Sequence, residues 1–199
     1  MSAPEHHEVE VDLFGDPIAP PDPGAATRGR RGAVAAAQWQ AWLNDADLVA
    51  RYRASIHWRG PSACAYWLSS ISSSGHGKFR LGSHTDDSRR VVTAHLIGYQ
   101  LHRGVLPDAL GDVVIGHTCD EPSCQNVFHM EVISRAENDA DYRRRKNRWP
   151  LSDVRGAQGR ALALREAIRS ALDNGSDVES ALGEANAAGR PHPPADTLF

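Results

Sequence analysis

Within residues 117–138, HTCDEPSCQNVFHMEVISRAEN, four residues separate Cys119 from Cys124 and four separate Cys124 from His129. Thiolates and neutral imidazoles at such short separations are the donors that zinc takes in tetrahedral sites. Loops this short can close around one ion, and the ion then supplies folding energy that so small a segment cannot draw from a core of its own. A closed structural site needs four protein ligands. Cys64, the one cysteine outside this stretch, completes a Cys3His set with Cys119, Cys124 and His129. Three cysteines would leave one unmatched in a disulfide framework, whereas a reducing compartment suits three metal thiolates. His117 leads into the loop from the strand before it. It is read as lying outside the zinc site and free for chemistry.

The local pattern around this stretch is a strand, a loop, a strand and a helix. Residues 112–117 (DVVIGH) are a short β-branched run. The zinc loop follows, then a second strand over 129–133. Ser134-Arg135-Ala136-Glu137 has the form of a capping box and opens a helix that Pro150 ends. Asn138 falls in the first turn of that helix, facing back toward the strand that bears His117. Upstream, the apolar stripe of Trp39, Trp42, Leu43, Ala46, Leu48 and Val49 predicts one helix over 33–57, and Gly60-Pro61 breaks it. Residues 64–71 and 77–82 read as a hairpin joined by a flexible Ser72–His76 loop, with a second turn at 84–87. A short strand over 89–93 leads to a helix from Ala94 to Arg103 that ends at Gly104. Another helix is expected over about 153–172, and Ser176 and Glu179 read as the cap of a shorter one.

Net charge is −3, but its distribution matters more than its sum. Residues 1–24 carry six acids and no Lys or Arg, and residues 170–199 carry five acids and one Arg. That leaves 21 basic and 14 acidic residues in 25–169, a net of +7. A basic middle suits a binder of phosphate backbones. Arg143, Arg144, Arg145, Lys146 and Arg148 are its densest cluster and read as the DNA-contacting surface; the bland alternative is a solvated helix face. Arg28, Arg30 and Arg31 end a Pro/Gly/Ala-rich segment. No apolar run is long enough to span a membrane and the N-terminus has no signal pattern, which predicts a cytoplasmic protein.

His-x-Cys-x4-Cys-x4-His-x8-Asn resembles the HNH endonucleases of the ββα-metal class, in their zinc-containing His-Cys box branch. Cys64, Gly77-Lys78-Phe79-Arg80, Ala94-His95 and Gly104-x-Leu106-Pro107 resemble, in the same order, motifs of phage enzymes in this group. The resemblance spans roughly residues 62–147. It implies an α+β fold with a zinc-stapled ββα-metal core, a preceding β-hairpin and flanking helices. The implied organisation is a disordered tail over 1–32, a helical extension over 33–60, a nuclease domain over 61–150, a helical extension over 151–188 and a disordered tail over 189–199.

The implied activity is metal-dependent hydrolysis of the P–O3′ bond in double-stranded DNA, with Zn2+ structural and Mg2+ or Mn2+ catalytic. His117 would be the general base, as imidazole is the side chain best suited to take a proton near neutral pH. Asn138 would hold the catalytic cation through its amide oxygen. Arg80 would contact a phosphate near that cation, and His95 would either bind a phosphate or sit in the core. The chain departs from the family at Gly116, where many relatives carry a metal-binding acid, and at Leu96, where they carry Arg. Val127 and Met130 replace the usual Pro and Leu. These departures motivate a second reading, a non-catalytic zinc-stabilised DNA-binding accessory module. Breaking both strands would require a homodimer or two visits. The ending Thr197-Leu198-Phe199 resembles the Leu-Phe tails that dock on sliding clamps, and the resemblance as a whole suggests a phage or mobile-element origin.

Overall fold

Tyr66 and Trp67 are both buried, on the two-residue strand β2 (Tyr66–Trp67). Neighbouring side chains on a strand point to opposite faces, so each of these rings belongs to a different core. The Trp67 ring lies 5.7 Å from that of Tyr52, tilted, and 5.9 Å from that of Phe79, edge to face. Tyr66 packs with Leu164, Ile168 and Leu182, and Cys64 and Leu68 lie against that group. Full burial stabilises by about 1.5–3 kcal/mol for each large apolar side chain, so β2 joins the two halves of the fold.

The computed structural model describes residues 34–83, 85, 88–106 and 112–191. The readings at the 1–32 tail, at Arg28, Arg30 and Arg31, in most of the 84–87 turn, at Pro107 and at Leu198-Phe199 lie outside the described residues. Helices α1 (Ala36–Leu43) and α2 (Ala46–Ala54) open the described chain. Strand β1 (Ile56–His57) pairs antiparallel with β2. Strand β3 (Lys78–Leu81) pairs antiparallel with β4 (Arg90–Thr93), and helix α3 (Ala94–Arg103) follows directly. Strand β5 (Val113–His117) pairs antiparallel with β6 (Met130–Ser134), with a 3-10 turn at Val127–His129 before β6. Helices α4 (Arg135–Arg145), α5 (Gly156–Asn174) and α6 (Val178–Ala188) complete it. The architecture is α+β, with small antiparallel two-stranded sheets among helices. No helix among the described residues is long and apolar enough to cross a membrane.

Several expectations need correction. The single helix over 33–57 is two helices. Asp45 takes the N–H groups of Asp47 and Leu48 on its carboxylate, so an N-cap wins over continuation although the apolar stripe runs through both helices. Its last turn is strand β1 instead, where Ile56 meets Trp67. The hairpin of 64–71 with 77–82 reduces to one bridge, Ile71 with Gly77. The ladder of 77–82 goes to β4, whose β-branched residues give Phe79 and Leu81 a partner strand. The capping box at Ser134 and Glu137 is present, but its helix ends at Arg145, ahead of Pro150. Helix α6 is capped by Asp177, which accepts from Glu179 and Ser180 N–H, in place of Ser176.

Candidate functional site

The four residues expected to bind zinc come together from three elements. Cys64 precedes β2, Cys119 and Cys124 lie on the loop after β5, and His129 closes the 3-10 turn before β6. Their donor atoms all lie within 4.8 Å of one another, a group that could hold a metal ion such as zinc. His129 Nδ1 stands 3.8 Å from Cys64 Sγ and 3.7 Å from Cys124 Sγ. A tetrahedral ion with Zn–S of about 2.3 Å and Zn–N of about 2.0–2.1 Å sets its S and N donors roughly 3.6 Å apart, so the spacing fits. The Asn126 N–H donates to Cys124 Sγ at 3.4 Å, which favours a thiolate there once a metal is bound. Without metal, the Cys119 thiol is held far below the usual thiol range by hydrogen bonds from Cys124 and Cys64. Hydrogen bonding to Cys119 correspondingly pushes Cys64 and Cys124 up, with burial adding to it.

Asn126 explains how a cysteine so far upstream reaches this group. Its side-chain amide is buried and donates to the carbonyls of Pro61 at 2.9 Å and Ala63 at 2.7 Å. Its Oδ1 accepts from Phe128 N–H at 3.1 Å. One side chain thus fastens the Cys64 segment to the zinc loop. The loop is also laced to β2 by Trp67 N–H to Ser123 O and Gln125 N–H to Ala65 O.

Beside the metal group lies a cleft of roughly 340 Å³, lined among others by His76, His117, Asp120, Asn138, Tyr142 and Arg145. His117 ends β5, and its Nε2 is 3.0 Å from the carbonyl oxygen of Cys124. A carbonyl only accepts, so Nε2 carries the proton and Nδ1 carries the lone pair. Asn138, in the first turn of α4, reaches back to β5: a Cβ placed on Gly116 would lie 3.5 Å from Asn138 Oδ1. The expected facing of Asn138 and the His117 strand is present, and both residues line one cleft. Arg145 binds Asp120 at 3.1 Å and Asp141 at 3.2 Å, which ties α4 to the zinc loop.

His95, in the first turn of α3, is buried, with its ring 4.9 Å from His117 and 5.2 Å from His76. Burial holds its pKa well below the ordinary histidine value, and His117 and His76 add to the effect. Burial likewise brings His76 down to about 4, with His117 contributing. Both rings are neutral near pH 7. Arg80 is not brought into the cleft. It lies on the exposed side of β3, where Lys78 and Arg80 alternate with buried Phe79 and Leu81. Of the basic cluster, Arg143, Arg144, Lys146 and Arg148 are exposed, whereas Arg145 is half-buried and engaged with acids. Arg144 also pairs with Asp141. A larger hollow of about 660 Å³ between α5 and α6 is lined mainly by Ala, Ser and Asn, with no histidine or cysteine.

Sequence reasoning missed His76, which it took as part of a flexible linker. The Ser72–His76 loop is a hydrogen-bonded turn: Ser72 N–H and Oγ both donate to His76 O, and Ser74 Oγ meets His76 Nδ1 at 3.0 Å. The available signal was the Gly75-His76-Gly77 triplet. A Cβ at Gly77 would come within 2.6 Å of the Trp67 ring, so only glycine lets this turn approach the core. Also missed was the buried pairing of Glu121, in the zinc loop, with Arg160 on α5 at 2.7 Å.

The chain is similar to Protein 7.7 of Escherichia phage T7, with 27% identity over 78 residues. That alignment takes in 39% of this chain and 53% of the phage protein, so the chain spans about half the length of the curated relative it matches. No protein-family model and no solved structure matches it.

Proposed function

We propose that this chain is a metal-dependent endonuclease on double-stranded DNA, with β5, the zinc loop, β6 and α4 forming an HNH core. The observation that carries the reading is the His117 Nε2 contact to the Cys124 carbonyl. It fixes the tautomer and aims the basic Nδ1, so the zinc loop orients the base as well as stapling the fold. In this reading His117 Nδ1 takes a proton from water as the water oxygen attacks phosphorus. The P–O3′ bond breaks, the leaving O3′ takes a proton from solvent, and the products are a 5′-phosphate and a 3′-hydroxyl. Asn138 Oδ1, which faces Gly116 and lines the cleft, would be the protein ligand for Mg2+ or Mn2+. When bound, that cation supplies charge neutralisation at the phosphate and the leaving oxygen. Exposed Arg143, Lys146 and Arg148, on and after α4, supply phosphate contacts that position DNA without reading its sequence. The similarity to a phage protein accords with a phage origin.

The test is nicking of supercoiled plasmid with Mg2+ or Mn2+ present or withheld. Metal-dependent relaxed or linear product, lost in His117→Ala while the Cys3His group still binds its ion, is expected. Full cleavage by His117→Ala would overturn the assignment of the base. A second reading, a DNA-binding accessory module without catalysis, is favoured by one observation: Gly116 offers no carboxylate beside Asn138. It predicts salt-sensitive DNA binding and no nicking with either metal.

A further inference from the structure

Two histidines that line the cleft, His76 from the Ser/Gly turn and His117 from β5, meet the ring of a third, buried His95 of α3. Their ligand nitrogens all lie within 4.8 Å of one another. We propose that His76, His95 and His117 form a second metal site, distinct from the Cys3His group, that takes a borderline transition ion such as Zn2+, Co2+ or Ni2+ and holds it through three imidazoles.

Three features support this. First, a tetrahedral ion with bonds of about 2.0–2.1 Å sets its nitrogens roughly 3.4 Å apart, and one nitrogen from each ring already falls within 4.8 Å of the other two. Second, two of the rings already have their outer nitrogen engaged. His117 Nε2 donates to the Cys124 carbonyl, and His76 Nδ1 meets Ser74 Oγ. Metal-binding histidines are commonly oriented in this way, with the remote nitrogen held and the near one free. Third, His95 is only 6% exposed and its Nδ1 is buried without a partner, a costly state that two flanking imidazoles do not relieve. Imidazole suits Zn2+, Ni2+ and Cu2+, whereas Mg2+ prefers oxygen donors and water. Two metal chemistries therefore share one cleft, hard ions at Asn138 and borderline ions at the histidines.

The consequence is competition for one atom. His117 Nδ1 cannot bind a transition ion and accept a proton from water at once. An ion on the three histidines therefore shuts off the cleft as a nuclease; this consequence rests on the nuclease reading, whereas the binding itself does not.

The experiment is a Co2+ titration of the intact chain, read by metal content and visible absorption. Two ions per chain are expected. The ion in the Cys3His group brings a thiolate-to-cobalt charge-transfer band, and the other adds ligand-field bands without a new charge-transfer band. His76→Gln, and separately His95→Phe to keep the buried volume, are each expected to bind one ion and retain the charge-transfer band. A wild-type stoichiometry of one, or a second ion that persists in both variants, overturns the proposal. In parallel, Zn2+ beyond the first equivalent is expected to suppress Mg2+-dependent nicking by wild-type protein. Unchanged nicking with two ions bound would overturn the competition and leave the site. Two ions bound on titration, in a chain that does not nick with Mg2+ or Mn2+ even when only the Cys3His group is loaded, would overturn the nuclease reading and leave the second site standing.

Discussion

Gly116 and Asn126 are the two side-chain positions that most sharply test how the site is built. Gly116 is buried on β5 with Asn138 Oδ1 facing it, and a Cβ there would meet Ile133 Cδ1 at 2.7 Å. That obstacle is the end of a flexible side chain, so Gly116→Asp is tolerable and sets a carboxylate beside the amide oxygen of Asn138. On the nuclease reading, the variant should reach half-maximal nicking at a lower Mg2+ concentration than the wild type, because a hard cation gains a charged oxygen ligand. An unchanged or higher Mg2+ requirement in a folded variant would place the cation elsewhere. Asn126→Ala removes the donor to the Pro61 and Ala63 carbonyls. A buried group left without its partner costs about 1–3 kcal/mol, so the loss should exceed ~2 kcal/mol in a denaturant titration and weaken zinc retention, since Cys64 loses its tether. The grouping of Cys119, Cys124 and His129 was legible in the sequence because their spacing is local and their chemistry narrow, and Cys64 followed from the need for a fourth ligand. His76 was not, because its role depends on rings delivered by α3 and β5.

The elements divide in the same way. Strand β5, the zinc loop, β6 and the capped start of α4 could be read directly: a β-branched run, metal-ligand spacing and a Ser-x-x-Glu box are all short-range signals. The pairing of β3 with β4, and the two-residue strands β1 and β2, could not. Tyr66 and Trp67 are both buried, so β2 lacks the alternation that marks a strand with one wet face. Nor did the helical pattern of α5 reveal what it packs on. Arg160 on α5 is buried, and its guanidinium reaches Glu121 at 2.7 Å and Asp153 at 3.3 Å and lies 4.4 Å from the centre of the Trp149 ring. Removing one partner of a buried pair strands the other charge, at a cost of about 3–5 kcal/mol. Arg160→Ala should therefore lower the melting temperature strongly, and Glu121→Gln combined with Arg160→Met should recover part of that loss. If Arg160→Ala melts with the wild type, the pairing carries no stability and α5 is held by its apolar face alone.

For the molecule as a whole, the zinc loop stands between two cores and contacts both. It hydrogen-bonds along β2, whose Trp67 belongs to the aromatic core and whose Tyr66 belongs to the α5–α6 core, and Glu121 links it to Arg160. The apparent binding energy of a structural zinc is on the order of 10–16 kcal/mol in small zinc peptides. The whole stability of a domain is about 5–15 kcal/mol. Loss of the Cys3His ion should therefore unfold more than its own loop. Stripping zinc with a strong chelator, or replacing Cys124 with alanine, is expected to abolish tryptophan burial, read by a red-shifted fluorescence, and helical circular dichroism in one coincident transition. The buried tryptophans Trp39, Trp42 and Trp67 lie in the N-terminal half, Trp149 packs on Arg160 of α5, and α5 is the longest of the described helices. If chelation shifts the fluorescence but leaves the helical signal intact, the α5–α6 core folds without the metal. The zinc would then organise only the cleft and the elements ahead of it.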